Sequence, residues 1–517
     1  MQALSIGHAG ILIRTRGVTI ACDPWFIPAF FGSWFVFPRN DQLADDIMHD
    51  VCNPNFLYIS HLHGDHFDAE FLRTRMNKDT TILLPDFPTR EMEREFNKLG
   101  FKKFERLINT QERVIAPGVT VAIHAETSIT DGPAGDSALV VSDGDARLVN
   151  QNDCRTNDLG ALASHGHVDL HWLQFSGAIW YPMVYDMDDA KKKQLCIDKV
   201  NSQFSRAIKY VESLNATTVV PSAGPPCFLD PDLFALNMVT GDESSIFPDQ
   251  TEFQRRLAEA DNYAAATCIP GTSFTVVGGA VTVEQPLPGD EITRIFSHKA
   301  DYLRTYQTDW AQWLIDAKKT WTSANTDLIS TLKLWWEPLM SLAPNVREGI
   351  NGNCLLNAGD LDIYINFVDG IVEPYTDQEI SYRFTIARGL VENVVAQRAG
   401  DWSNSLFLSC RFTAWRTGEY NEYIYNFFKS LSVERMIRTE AEATTKLKGV
   451  FSNEDDIVIG NYLVQRRCPH RNADLSVFGE IDGDELVCTL HGWRFNVETG
   501  VCTSSAERPI RIQKRTV

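Results

Sequence analysis

Phe56-Leu57-Tyr58-Ile59-Ser60-His61-Leu62-His63-Gly64-Asp65-His66 is the stretch on which the reading of the N-terminal half turns. Its apolar start reads as a buried strand. The strand delivers four side chains of metal-ligating type into one tight loop, in the order H-x-H-x-D-H. Alternate members of such a loop face one ion and the last two face a second. His61, His63, Asp65 and His66 are therefore read as metal ligands, with Asp65 also placed in the catalytic machinery. The bland alternative is a surface loop that happens to be rich in histidine and aspartate.

Upstream lie Ile6-Gly-His8-Ala-Gly10, an apolar strand, and Ala21-Cys-Asp23-Pro-Trp25. Together with the histidine loop, these resemble the start of metallo-β-lactamase-fold proteins of the ascorbate-6-phosphate lactonase type, and strands in that order argue against the bland reading. The resemblance implies an αββα sandwich, a further ligand after a later strand and a bridging carboxylate after the next. Val119-Thr-Val-Ala-Ile-His124-Ala-Glu126 offers the first. His124 is the usual ligand type, while Glu126 stands on the same side of an extended chain and is a hard oxygen donor suited to iron; His124 is ranked slightly ahead. Asp153, after the apolar Leu148-Val149, is the expected bridging and catalytic carboxylate. The family's last ligand is a histidine, yet Thr217–Phe228 contains none. The second ion is then open on one side, or is completed by His165, His167 or His171; those three also fit a helix turn with solvated histidines.

Near the C-terminus, Cys468-Pro-His470 and Cys488-Thr-Leu-His491 form C-x-H-x17-C-x2-H. This is the ligand set of a Rieske [2Fe-2S] cluster, in which imidazoles replace two cysteines and raise the reduction potential. A four-ligand zinc site is the alternative, and the mixed spacing is unlike the usual zinc patterns. Neither loop carries an additional cysteine, so the segment resembles the ferredoxin domains of bacterial Rieske oxygenases, and Cys502 is expected only to pack. The two histidines are expected to keep their outer edges near solvent or near the catalytic domain. The facial-triad pattern D/E-x2-H-x4-H of mononuclear iron oxygenases is absent.

A hydrolase needs a metal-bound hydroxide and no electrons. A Rieske cluster on the same chain points instead to iron, in a non-haem and two-iron centre, at the histidine loop. The pairing, with Asp169–Ala178 and Pro221–Leu229, resembles the cytidine monophosphate N-acetylneuraminate hydroxylases, and the fold also resembles the di-iron β-hydroxylase of chloramphenicol biosynthesis. These resemblances imply an O2-dependent monooxygenase that oxidises a small polar metabolite, with electrons from a ferredoxin, a flavin reductase or a cytochrome b5-like donor. Here the Rieske segment is C-terminal, whereas in the sialic acid enzymes it is N-terminal, which leaves the substrate open. A metal-dependent hydrolase or lactonase with a regulatory Rieske domain is the runner-up, followed by a pure electron carrier. The cluster is expected to dock over the open metal site, within the chain or from the next subunit of a homo-oligomer.

The 517 residues carry a net charge of −20 and 44% hydrophobic residues, with a pI near 5.1. Such a surface disfavours nucleic acid and anionic membrane as partners. Eleven cysteines without paired spacing, and no evident targeting or spanning segment, predict reduced thiols in the cytoplasm. The expected organisation is a metallo-β-lactamase-like α/β sandwich over 1–285, an α+β middle domain over 286–445 and an all-β Rieske domain over 446–517. The middle segment turns helical from Glu291 to Met340, where a tryptophan-rich amphipathic pair is read as a cover for a core. Strands are expected over Asp360–Phe367, Ile380–Ile386 and Ser405–Trp415. This segment resembles sterol-carrier-like modules, a likeness that carries no function.

Overall fold

The computed structural model describes residues 1–129, 134–177, 179–239, 245–261, 263–321, 327–448, 456–505 and 509–515. The chain folds as two compact units. The first is Met1–Thr127 with Ala134–Ala178 and Ala207–Ile315; the second is Ser128–Pro133 with Ile179–Arg206 and Asp316–Val517.

The first unit contains strands β1 (Gln2–Gly7), β2 (Gly10–Thr15), β3 (Val18–Cys22), β4 (Phe56–Tyr58), β5 (Thr81–Leu84), β6 (Phe104–Arg106), β7 (Arg113–Ala116), β8 (Val119–Glu126), β9 (Asp136–Ser142), β10 (Arg147–Asn152), β11 (Leu170–Gln174), β12 (Thr218–Ser222), β13 (Ser273–Val277) and β14 (Ala280–Glu284). They form an 8-stranded sheet in the order β14-β13-β1-β2-β3-β4-β5-β6 and a 6-stranded sheet in the order β12-β11-β10-β9-β8-β7. Strands β3 to β6 are parallel, as are β10 to β12.

Alternation along the strands builds the layers. Ala3, Ile11, Ile13, Ile20, Cys22, Tyr58 and Leu83 pack with Val121, Ile123, Leu139, Val141, Leu148 and Trp172 of the other sheet. The intervening residues Leu4, Ile6, Leu12, Ala21, Leu57, Ile59, Ile82 and Leu84 pack against Val51, Phe71, Leu72, Met92 and Phe96 of the outer helices. Both faces are covered, which is why these strands read as unbroken apolar runs. The result is the metallo-β-lactamase-like αββα sandwich.

The helices Gly289–Ser297 and Lys299–Lys319 lie beyond the expected boundary at 285. Leu303, Tyr306 and Leu314 nevertheless pack with Phe35, Cys227 and Leu229, so the first unit runs on to Ile315. Trp310 and Trp313 pack against this same cluster, as a cover of the core.

In the second unit, β15 (Cys354–Ala358), β16 (Leu361–Asn366), β17 (Ile371–Pro374), β18 (Tyr382–Ile386) and β19 (Phe412–Arg416) form a sheet in the order β17-β16-β15-β18-β19. The helix Leu328–Leu342 buries Leu328, Leu332, Trp336, Leu339 and Met340, so Trp336 carries the inward stripe. Of the strand expected over Ser405–Trp415, only Phe412–Arg416 forms. Asn404 N–H donates to Asp401 Oδ1 at 2.8 Å, a 3-10 turn spans Phe407–Ser409, and Leu406, Phe407 and Leu408 are all buried; a turn buries consecutive residues that a strand would place on opposite faces.

The Rieske segment contains β20 (Ile457–Ile459), β21 (Tyr462–Val464), β22 (Gly479–Asp482), β23 (Glu485–Cys488), β24 (Trp493–Asn496) and β25 (Ile512–Lys514), in two three-stranded sheets. All eleven cysteines are buried and unbridged. Among the described residues no helix is long and apolar enough to cross a membrane.

Trp336 is wholly buried and its ring lies 5.0 Å from that of Trp402 and 5.9 Å from that of Phe428. Trp336→Ala is expected to cost about 3 to 5 kcal/mol of stability, measured by denaturant unfolding. An unchanged midpoint would contradict the core assigned to this unit.

Candidate metal centres

The first centre is assembled where β3 and β4 end. Asp23 N–H donates to Tyr58 O at 3.0 Å, joining the two strand ends. The wholly buried Asp23 carboxylate accepts from Ser60 N–H and from Ser60 Oγ–H, both at 2.8 Å. It also lies 3.1 Å from His66 Nδ1. Asp136, at the start of β9, lies 3.3 Å from His61 Nδ1. A carboxylate at Nδ1 holds the proton there and leaves Nε2 as the bare donor.

The bare donors converge. His61 Nε2 lies 2.7 Å from His63 Nδ1. His66 Nε2 lies 3.5 Å from Asp153 Oδ1 and 3.8 Å from Asp65 Oδ2. His8 Nε2 lies 3.1 Å from Asp65 Oδ2. His61, His66 and Asp153 form one group of donors within 4.8 Å of one another, and His8, Asp65 and His66 form another. Buried Asp65 Oδ1, His66 Nε2 and Asp153 Oδ1 have no hydrogen-bond partner. Imidazole and carboxylate donors left bare at these spacings fit metal ions, and the two groups adjoin through His66, which belongs to both.

The charges agree. Burial pushes the His66 imidazole down, but Asp153 and Asp65 outweigh it and hold the ring well above its ordinary pKa. Burial would raise Asp65 and Asp153, yet His66 leads the groups that keep both below the usual carboxylate range. Among the described residues, four of the fifteen non-glycine residues with positive φ lie around this centre. His8, Asp23, Asn152 and Ala223 all have left-handed φ, between +41° and +52°, a conformation that costs a non-glycine residue on the order of 1 to 3 kcal/mol.

Of the residues expected from sequence, the structure brings together His61, His63, Asp65, His66 and Asp153. His124 lies outside both groups. Its Nε2 is 2.8 Å from His165 Nε2, and His165 Nδ1 is 2.9 Å from Glu112; burial, then His165, pushes the His124 pKa down to about 4. Glu126 ends β8 opposite Asp136 in the β8–β9 register, so it shares a sheet face with the carboxylate that touches His61. His167 is exposed beside Thr217. His171 is a core histidine of β11 bonded to Gln151 at 2.8 Å, with burial taking its pKa down to about 3. Sequence reading gave no role to His8, Asp23 or Asp136. The first two stood within the upstream motifs, whereas Asp136 has no local signal.

The second centre lies in the Rieske loops. The Cys468 and Cys488 side chains adjoin, and the His470 and His491 rings are 5.0 Å apart. Their Nδ1 atoms are the buried inward nitrogens, so two thiols and two imidazole nitrogens face one another as a [2Fe-2S] cluster requires. The outer nitrogens differ. His470 Nε2 is 3.0 Å from Glu422 Oε2, both side chains being 3% exposed, whereas His491 Nε2 receives an N–H of Arg471 at 2.8 Å. The outer edge of His470, expected near solvent or the catalytic domain, is thus closed by the helix Glu422–Lys429. Trp493 stacks on the same ring at 3.9 Å.

Fold and loops together define a Rieske protein with a metallo-β-lactamase-like domain. Residues 440–512 match the Rieske [2Fe-2S] domain model, and residues 328–445 match the Rv3818-like, SCP2-like domain model. The chain is 42% identical over 519 residues, covering 99% of both chains, to Rv3818 of Mycobacterium tuberculosis (strain ATCC 25618 / H37Rv), described as a Rieske 2Fe-2S iron-sulfur protein, and it belongs to that family. It is also 23% identical over 234 residues to the cytidine monophosphate-N-acetylneuraminic acid hydroxylase of Xenopus laevis, covering 43% of this chain and 38% of that one. The diiron β-hydroxylase CmlA from Streptomyces venezuelae aligns at 14% identity and a TM-score of 0.35, over 53% of this chain and 54% of that one.

Asp23→Ala is expected to weaken metal binding at the first centre by about 10- to 100-fold, measured by anaerobic Fe(II) equilibrium dialysis, with the Rieske signal unchanged. Unaltered affinity would remove Asp23 from the site. Glu422→Gln keeps an acceptor for His470 but deletes a buried negative charge. The Rieske potential should rise by about 50 to 100 mV in a spectroelectrochemical titration, and a fall or no change would count against the contact.

Proposed function

We propose that the chain is an O2-dependent monooxygenase of hydroxylase type, with a non-haem di-iron centre in the first unit and electrons supplied through its own Rieske cluster. The observation that carries this reading is that one chain holds both a Rieske ligand set and a buried histidine–carboxylate centre. Hydrolysis has no use for the former. A hydroxylase among the sequence relatives supports the same class. When bound, a pair of irons supplies the reduction of O2 that oxygenation needs.

This chain's residues supply the rest. His61 and His63 would hold one ion and Asp65 and His66 the other, with Asp153 between them. Asp23 and Asp136 keep protons on the two Nδ1 atoms, so the rings bind as neutral donors rather than as cations. The near-total burial of His61, Asp65 and His66 keeps bulk water from the reacting atoms. Overall, one oxygen atom enters a substrate C–H bond and the other leaves as water. Two electrons and two protons balance the reaction, the electrons passing singly through the cluster from a ferredoxin, a flavin reductase or a cytochrome b5-like donor. The substrate class proposed is a small polar metabolite.

Protein purified without oxygen should contain about four irons and about two acid-labile sulfides per chain, and Asp153→Ala should lose at least one iron that is not matched by sulfide. His124→Ala and Glu126→Ala, assayed in parallel, identify the remaining ligand by which of them loses metal. Two zinc ions beside an intact cluster, with turnover independent of reductant, would replace this reading by the hydrolase.

A further inference from the structure

His8 lies almost sixty residues from the histidine loop in sequence, at the turn between β1 and β2, yet its imidazole reaches the metal centre. Its side chain is 2% exposed, and Nε2 stands 3.1 Å from Asp65 Oδ2. Its ring is 5.5 Å from that of His66 and sits edge-on to Trp25 at 4.9 Å. The donor atoms of His8, Asp65 and His66 lie within 4.8 Å of one another, and Asp65 Oδ1 and His66 Nε2 are buried without hydrogen-bond partners. Three donors gathered in this way are one short of a tetrahedral shell, and Asp153, 3.5 Å from His66 Nε2, would supply the fourth.

The backbone holds His8 in place from two directions. Its φ of +52° is a left-handed conformation that a branched or bulky residue keeps only under restraint. The restraint includes Ala223 N–H, which donates to His8 O at 3.0 Å. Ala223, itself left-handed at φ +42°, follows β12 in the stretch Thr217–Phe228, which contributes no histidine. His165, His167 and His171 are engaged with Glu112, Thr217 and Gln151 respectively.

We infer that His8 is a ligand of the second metal ion, the one held by Asp65, His66 and the shared Asp153. The inference rests on the two-ion reading of the first centre and is tested by the number of ions, not by their identity. A simple hydrogen bond from His8 to Asp65 would leave the same contact in this structure, so the variants must separate ligation from hydrogen bonding.

His8→Gln retains an N–H donor for Asp65 but removes the imidazole; His8→Asp retains a ligating atom type. All metals and labile sulfide would be counted in the full-length holoprotein, with the Rieske electron-paramagnetic signal and the thermal melt as controls for folding. Wild type should hold about two ions beyond those matched to sulfide, His8→Gln about one, and His8→Asp about two. Full occupancy in His8→Gln overturns the inference, as does loss of both ions from both variants with melt and Rieske signal intact, or a wild type with a single non-cluster ion. If two ions are present but are zinc, the oxygenase reading fails while the count in His8→Gln still decides for or against His8.

Discussion

The meeting of β3 with β4 and the aim of His66 both hang on one buried residue, Asp23. Asp23 is wholly excluded from water, a position that is costly for a carboxylate unless hydrogen bonds replace its hydration. Ser60 donates twice, and His66 lies within reach of the same oxygens. Because Asp23 N–H also bonds to Tyr58 O, this residue both aligns the ends of the parallel strands β3 and β4 and aims the ring that follows them. Its backbone serves the strand ends and its side chain serves the ligand, so a change of side chain at this position can disturb the ligand alone.

The sandwich was legible from residues 1–25 and 56–66 because unbroken apolar runs ending in ligand-type side chains have few other solutions. The four Rieske ligands were equally legible, since their spacing is local. Three things escaped. Asp136 meets His61 through tertiary proximity and nothing beside it in sequence marks it, while His8 stood within an upstream motif but was given no role. The boundary at 285 followed a turn-rich stretch, but Leu303, Tyr306 and Leu314 find their partners in Phe35, Cys227 and Leu229, and such packing is invisible to local composition. The apolar alternation over 405–415 suggested a strand, whereas the Asp401 cap bends the chain into a turn that buries consecutive side chains.

The second unit carries a different lesson. The SCP2-like segment, which sequence reading left without a role, contributes Glu422 to the environment of His470, while Arg471 meets His491 from within the Rieske loop itself. The two histidines of one prospective cluster thus face opposite charges. Through charge and hydrogen bonding, an acidic neighbour favours the oxidised cluster and a basic one the reduced cluster, so the adjoining domain is part of the redox site and not a spacer.

The pairing of β1 has a consequence for biosynthesis. One neighbour of β1 is β2, a few residues on, but the other is β13, and the Met1 amino group reaches Val276 O across 275 positions. A nascent chain leaving the ribosome therefore carries β1 with one open edge until β13 has emerged. An open strand edge is a template for wrong partners, and long-range strand pairing forms late. The strand that carries Ile6 and leads into His8 is made well before β13 and is completed only by it, so a metal ion meets a finished pocket only after β13 has been translated.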